Sequence, residues 1–411
     1  MQALEDIRIL DLGRYLAGPL CTWILADTGA EVIKIESCSN PDPLRMEARE
    51  IYPGGEPGER PWNRSGMINE RHRSKYGITL DLTASQGKEL FLGLVKISDV
   101  VVENFQAQVM DKLGLSYEVL KGVNPSIILV SLSSQGLTGP EKNYRSFGPT
   151  LEEIGGLLSI TGYPGEPPYI STLAFPDMLA GMLGPGLVVA ALRYSRKTGK
   201  GLHIDLSQRE LTTCVIGENI MDYVMNQRVC AAMGNRHPYL SPYGCYQCKG
   251  DDNWVTIAVS SDEQWKILCE LIGNPELAED SRFSDVLSRH NHQDELNRLI
   301  EEWTRTQDHY DIQLKLQKAG IAAGAVLNTQ ELFSDLHLKE REFFDLVTHP
   351  EAGTHAYVGR PFKLSKTPGR TRRPAPCLGE HNAYIYGEVL GLSPEKIAEL
   401  EKQGVIGTIP T

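Results

Sequence analysis

A carboxylate set among small and apolar residues at the start of a helix is the sharpest chemical signal in this chain. The stretch Ser171-Thr172-Leu173-Ala174-Phe175-Pro176-Asp177-Met178-Leu179-Ala180-Gly181 puts Pro176 at a first helical position and Asp177 in the first turn. An acidic residue there usually does no more than complement the helix dipole. The helix beyond it, however, carries Gly181, Gly184 and Gly186. Each glycine weakens a helix by about 1 kcal/mol relative to alanine, so three of them imply that backbone must approach something closely. A lone carboxylate facing such a place has the setting of a nucleophile.

Other constellations carry less. Gly13-Arg14-Tyr15-Leu16-Ala17-Gly18-Pro19 follows a strand pattern and precedes a helical one. That is where an α/β fold presents backbone N–H groups to a ligand, but the spacing is not G-x-G-x-x-G, and a plain tight turn accounts for it as well. Cys245-x-x-Cys248 could be half a zinc site. No second Cys or His pair stands at a suitable spacing, and the pair sits in a strand pattern rather than at the opening of a helix. No metal site is expected. There is no G-x-S-x-G elbow. His72, His237, His290, His292 and His381 lie in polar stretches, where a solvated histidine is the default.

The elements that must position these residues alternate. Ile7–Leu12, Glu31–Glu36, Ile78–Leu82, Val100–Phe105 and Ile127–Ser133 read as strands, with helical patterns at Cys21–Asp27 and Ser85–Lys96 between them. Such alternation argues for parallel βαβ units. Residues 38–69 read as a loop rich in Pro, Gly and charge. A short helix is expected over 152–161, then a long one over 176–196, kinked at Pro185. A strand and helix follow over 202–224, and a separate α+β piece over about 240–325.

Composition bounds the function. The chain has 411 residues, 41% apolar and 23% charged, enough for a large core. Lys and Arg number 41 against 53 Asp and Glu, a net charge of -12 with no basic run, so nucleic acid is not an expected partner. The apolar run Leu179–Leu192 is shorter than the roughly 18 residues that span a bilayer, so no membrane association is expected. Glu5 and Asp6 precede any apolar run, the reverse of a secretory signal. A cytoplasmic location is expected, with the eight cysteines reduced and buried as small hydrophobes.

Several segments together resemble the class III CoA-transferase family, which includes formyl-CoA transferase, carnitine CoA-transferase and the α-methylacyl-CoA racemases. They are LAGPLCTWILADTGAEVIKIE (16–36), ITLDL (78–82), DVVVENF (99–105), VMDKLGLSYEVL (109–120), TGYPG (161–165), AFPDMLAGM (174–182), YSRKTGKGLHIDLS (194–207) and LGEHNAYIYGEVLGLS (378–393). The resemblance runs through essentially the whole chain in order. It implies an α/β fold with a Rossmann-like large domain from residues 1–225 and 331–411, a smaller α+β domain from 226–330, and two chains interlocked as rings.

It also implies that Asp177 is the nucleophile. With an ordinary pKa of about 3.9 it is ionised at neutral pH without a base. It would take an acyl group from the donor thioester as an anhydride, and then CoA as an aspartyl thioester. Gly136 and Gly139 are candidate oxyanion donors. CoA would be substrate and product, with no tightly bound cofactor, meeting Tyr15, Ala17, Arg45, Lys75, Asn104, Phe105 and Lys112. Two departures narrow the activity. Where the family's racemases carry a histidine, this chain reads Ser146-Phe147-Gly148-Pro149-Thr150, and where formyl-CoA transferase has a glycine run it reads Ser260-Ser261-Asp262-Glu263. The segment Gly234-Asn235-Arg236-His237-Pro238-Tyr239 resembles transferases of larger acids, with succinyl-CoA as donor and a substituted succinate such as benzylsuccinate as acceptor. Partners implied are acyl-CoA and carboxylic acids, and a second chain as homodimer or paralogous heteromer. An acyl-CoA racemase or epimerase, or a non-catalytic CoA-binding subunit, are the alternatives.

Overall fold

A computed structural model describes residues 2–46 and 51–411. The chain forms two compact units, one from 1–157, 170–225 and 339–411, the other from 158–169 and 226–338. Residues 158–169 therefore belong with the middle of the chain rather than with the N-terminal part.

The first unit is a mixed α/β fold around a parallel sheet. Its strands are β1 (Arg8–Asp11), β2 (Glu31–Glu36), β3 (Tyr76–Thr79), β4 (Val100–Glu103), β5 (Ile128–Ser131) and β6 (His203–Asp205), in the order β3-β2-β1-β4-β5-β6. All five pairings are parallel. Successive side chains go to opposite faces, and both faces are apolar, as a sheet covered on two sides requires. Ile9, Val32, Val100, Val102, Ile128 and Val130 face one core with α1 (Ala17–Asp27). Leu10, Ile33, Ile78, Val101 and Leu129 face the other with α2 (Ser85–Lys96). The C-terminal residues Ile385, Tyr386, Leu400 and Ile406 complete that second core. They also cover the edge strand: Asn382 Oδ1 accepts from Thr79 N–H at 3.0 Å, and Tyr386 Oη donates to the Thr79 carbonyl at 2.7 Å. An uncovered edge would be open to pairing with another chain.

Three further helices bear on the site: α3 (Gly148–Ile154), α4 (Phe175–Thr198) and α5 (Gln208–Val215). By length and apolar content α4 could cross a membrane, but it packs on α1 and β5 as a core helix. It is one continuous helix that includes Pro185. Two of its three glycines explain the packing. A β-carbon at Gly181 would lie 2.7 Å from the Leu20 side chain, and one at Gly184 would lie 2.7 Å from Cys21 Sγ. Gly186 faces open space and contributes nothing to this contact.

The second unit holds an antiparallel sheet of β7 (Tyr243–Gln247), β8 (Trp254–Ala258) and β9 (Ala322–Ala325). Trp265, Leu268, Leu296, Ile300 and Ile312 pack with it. Cys245 lies in β7 and Cys248 just beyond it, both as free thiols. Ser261, in the stretch set against a glycine run, caps the helix Asp262–Ile272 by accepting from Gln264 N–H.

Candidate active site

The loop after β1 is folded tightly on itself. A β-carbon on either Gly13 or Gly18 would lie 2.7 Å from the α-carbon of the other, so only glycine allows this crossing. The loop's N–H groups are largely taken by the protein. Gly13 N–H donates to Asp11 Oδ1 (2.8 Å), Arg14 N–H to Asn104 Oδ1 (2.8 Å) and Tyr15 N–H to Asp42 Oδ1 (3.3 Å). Asn104 Nδ2 returns a bond to the Arg14 carbonyl at 2.8 Å. Its amide thus acts as a splint for the loop. Tyr15 is held at φ 58°, in the left-handed region, and its ring meets Phe147 edge-on at 6.0 Å.

Beneath the loop lies a buried charged network. Lys75 Nζ donates to Asp11 Oδ2 (2.9 Å) and the Pro19 carbonyl (3.0 Å), and lies 3.2 Å from His72 Nδ1. Lys34 Nζ bonds the Gly13 carbonyl and lies 3.5 Å from Asp42 Oδ2. Burial lowers Lys75 to about 8, with Asp11 opposing the shift. Burial, then Lys75 and Lys34, push His72 well below the usual range and keep it neutral. Arg45 is equally enclosed: it makes a two-pronged pair with Glu36 (2.9 and 2.8 Å) and bonds the Pro376 carbonyl at 3.1 Å. Burial alone would raise Glu36, but Arg45 holds it at about 2.

These positions correct three expectations. His72 is a buried member of an ion network, not a solvated histidine. Arg45 and Lys75, expected to meet a phosphate, are fully buried and spend their donors inside the fold. The stretch 38–69 is not structureless, since Pro43–Met46, Pro61–Arg64 and Gly66–His72 are helical. Residues 47–50 of it lie outside the described residues.

Asp177 sits in the first turn of α4 as expected. The Ala17 N–H at the start of α1 and the Gln208 side chain at the start of α5 lie near enough to its carboxyl to favour the ionised form. Gln208 is buried, its Nε2 donates to the Leu132 carbonyl at 3.0 Å, and its Oε1 has no partner. Burial pushes the Asp177 carboxyl up to about 6 against these two groups. The ordinary value of about 3.9 expected from sequence is therefore corrected, though the group is still mostly ionised at pH 7. The helix end that was expected to face a ligand already faces this carboxylate. Neither Gly136 nor Gly139 is among its partners: the β-carbon position of Gly136 faces Ser207 and Asp205, and that of Gly139 faces open space.

Gly148 packs directly against Asp177. A β-carbon there would lie 2.4 Å from Ala174 Cβ and 2.9 Å from Asp177 Oδ2. Sequence reading missed both Gly148 and Gln208. The first stood in plain view in the stretch noted for its missing histidine.

On the other side of the loop, at the carboxyl ends of β1 to β3, lies a cavity of about 370 Å³. Leu12, Arg14, Asn40, Leu82, Phe105 and Val109 are among its walls. It lies beside the junction of β1 and β4, where the strand order reverses, the usual ligand crevice of open α/β sheets. Lys112 is exposed in the same short helix as Val109.

The family model described as CoA-transferase family III matches residues 4–382. Succinyl-CoA–D-citramalate CoA-transferase of Chloroflexus aurantiacus is 33% identical over 98% of each chain. Succinyl-CoA:mesaconate CoA-transferase of Haloarcula hispanica is 33% identical over 94% of this chain and 96% of its own. A crystal structure of a CAIB/BAIF family protein from Brucella suis superposes with a TM-score of 0.85 and 31% identity, covering 94% of this chain and 99% of that one.

Proposed function

The chain belongs to CoA-transferase family III, and from that premise we propose that it moves CoA from succinyl-CoA to a small dicarboxylic acid through Asp177. The observation that carries the reading is the place of the Asp177 carboxylate, in the first turn of α4, packed against Gly148 and near the first N–H of α1 and Gln208. Burial strips water from a nucleophile and raises its basicity, and both favour attack on a thioester.

The carboxylate attacks the succinyl carbonyl and expels CoA thiolate, leaving a mixed anhydride. The thiolate attacks the aspartyl carbonyl, releases succinate and leaves an aspartyl-CoA thioester. The acceptor carboxylate attacks that thioester, expels CoA again and forms a second anhydride. Thiolate then takes the acceptor acyl group and frees Asp177. Each bond formed replaces one of similar energy, so the cycle needs no external activation. The Ala17 N–H, at the positive end of α1, suits the negative charge that develops on the aspartyl oxygen.

The nucleotide end of CoA is assigned to the cavity bearing Phe105 and Val109, with Lys112 available to a phosphate. Tyr15, Ala17 and Asn104 shape the loop between that cavity and Asp177, while Arg45 and Lys75 hold the loop's foundation. The acceptor class follows the relatives named for D-citramalate and mesaconate; benzylsuccinate belongs on the same test panel. Racemisation is disfavoured because Gly148, not a proton carrier, packs on Asp177. A second copy of the chain is the proposed partner. It would cover Ile220, Met221, Val224 and Met225 of the helix Gly217–Asn226, all exposed in one chain.

Incubation with succinyl-CoA followed by hydroxylamine should give a hydroxamate on the peptide containing Asp177, read by mass spectrometry. CoA exchange onto a dicarboxylate panel should be seen by liquid chromatography. Turnover without any modification at Asp177 would remove the mechanism. Acylation in a single turnover should also rise with pH through a midpoint at about 6 and level off above it, because only the ionised carboxylate attacks. A midpoint near 4, about where an unperturbed aspartate titrates, would show that burial does not act on the reacting group.

A further inference from the structure

Ala174, the residue before α4, has φ 49° and ψ 54°. This left-handed conformation is unfavourable for any residue with a β-carbon, so surrounding contacts must enforce it. Ala174 brings no side-chain cap to the helix that follows. The acceptor for the first helical N–H comes instead from α3. Glu152 is 1% exposed. Its Oε1 accepts the Ser171 hydroxyl at 2.6 Å and the Phe175 N–H at 3.2 Å, and its Oε2 accepts the Ser171 N–H at 3.1 Å. One buried carboxylate thus gathers donors from both ends of the 171–175 turn. All three donors are neutral, and together they satisfy both oxygens of a buried polar group that would be costly to leave unpaired.

That turn sets where Asp177 points. The Ala174 carbonyl accepts from the N–H groups of Asp177 (3.0 Å) and Met178 (3.3 Å). The same α3 that carries Glu152 begins at Gly148, whose lack of a side chain leaves room for both Ala174 Cβ and Asp177 Oδ2. Two residues of one short helix therefore fix the strained residue and the carboxylate three positions later.

We propose that Glu152 is the positioning residue for Asp177, locking the 171–175 turn so that the nucleophile returns to one place through every acyl exchange. The inference rests on the reading of Asp177 as nucleophile. The lock has a use because acylation removes the Asp177 charge and with it the attraction to the positive start of α1. Without an independent anchor the first turn of α4 would be free to shift between successive steps. Glu152 supplies that anchor from outside the reacting group.

The test compares Glu152→Gln, Ser171→Ala and Asp177→Asn with the unaltered enzyme, using succinyl-CoA and a dicarboxylate acceptor. Glu152→Gln keeps the size but turns one accepting oxygen into a donor that meets an N–H or O–H. Its kcat should fall by about 10²-fold, the scale of a misplaced reacting group, with KM for succinyl-CoA within about twofold. The hydroxylamine-trapped adduct at Asp177 should form more slowly by the same factor. Ser171→Ala removes one neutral donor and should lower kcat about threefold to tenfold; it decides the matter if Glu152→Gln does not fold. Unchanged kcat in the folded variants overturns the proposal, as does a loss shared equally between kcat and 1/KM. An inactive Asp177→Asn beside a fully active Glu152→Gln defeats the positioning role alone. A fully active Asp177→Asn defeats the nucleophile reading, and this proposal with it.

Discussion

Replacing Asp177 by asparagine should lower CoA transfer by about 10⁴-fold or more while making the protein more stable at alkaline pH. The activity loss follows from chemistry: an amide of the same shape cannot form the anhydride, and removing a nucleophile ranks among the largest single losses an enzyme shows. The stability gain follows from burial. The Asp177 carboxyl is pushed up to about 6 in the folded chain, against about 3.9 in an unfolded one. The unfolded state therefore gives up this proton first as pH rises. Between those two values the fold loses stability, and above about 6 the loss is complete. Asparagine carries no charge to bury. The gain should be about 1–2 kcal/mol at pH 8, less than the full shift would give because the carboxylate keeps some contact with water. It should shrink as pH falls from 6 towards 4. Urea melts of both proteins across that range measure it. An equal gain at every pH would mean that the charge of Asp177 costs the fold nothing.

Gly148→Ala carries the second large effect. The added methyl would have to displace Ala174 or the Asp177 carboxylate itself, from 2.4 and 2.9 Å. Ala174 cannot retreat easily, because its left-handed backbone is pinned on both sides. We expect kcat to fall by about 10²-fold or more, with about 1–3 kcal/mol lost in stability through overpacking. Gly186→Ala is the matched control. It lies in α4 and faces open space, so it should leave turnover intact and gain up to about 1 kcal/mol from helix propensity. Steady-state kinetics and thermal melts on the pair separate the crowding of the site from any general intolerance of this region to change. If the two variants behave alike, Gly148 has no special place at the nucleophile.

The sheet was readable in the chain because its strands are short apolar runs buried on both faces. The helices between them announce themselves by period, and Ser85–Lys96 falls where the pattern puts it. Asp177 was readable as well, since Pro176 and the glycines of α4 mark both the helix start and its close packing. What stayed hidden depends on pairing between distant positions. Lys75 meets Asp11 across 64 positions, and Arg45 meets the Pro376 carbonyl across 331. Each alone looks like a surface cation, and only the fold reveals that neither is one. Gln208 and Glu152 were hidden for the same reason: nothing near them in sequence indicates that they converge on one helix start. The raised Asp177 pKa is a property of burial, which composition does not encode.

The clasp that residues 382–386 place on Thr79 sets a timetable for synthesis. Thr79 and Asn382 are separated by 303 positions, which a ribosome adding about 5–20 residues per second takes about 15–60 s to cover. Throughout that interval the nascent N-terminal strands have no cover for their outer edge. The growing chain must be kept from its neighbours by chaperones or by its own middle segment, and products of premature termination should be aggregation-prone however sound their early sequence.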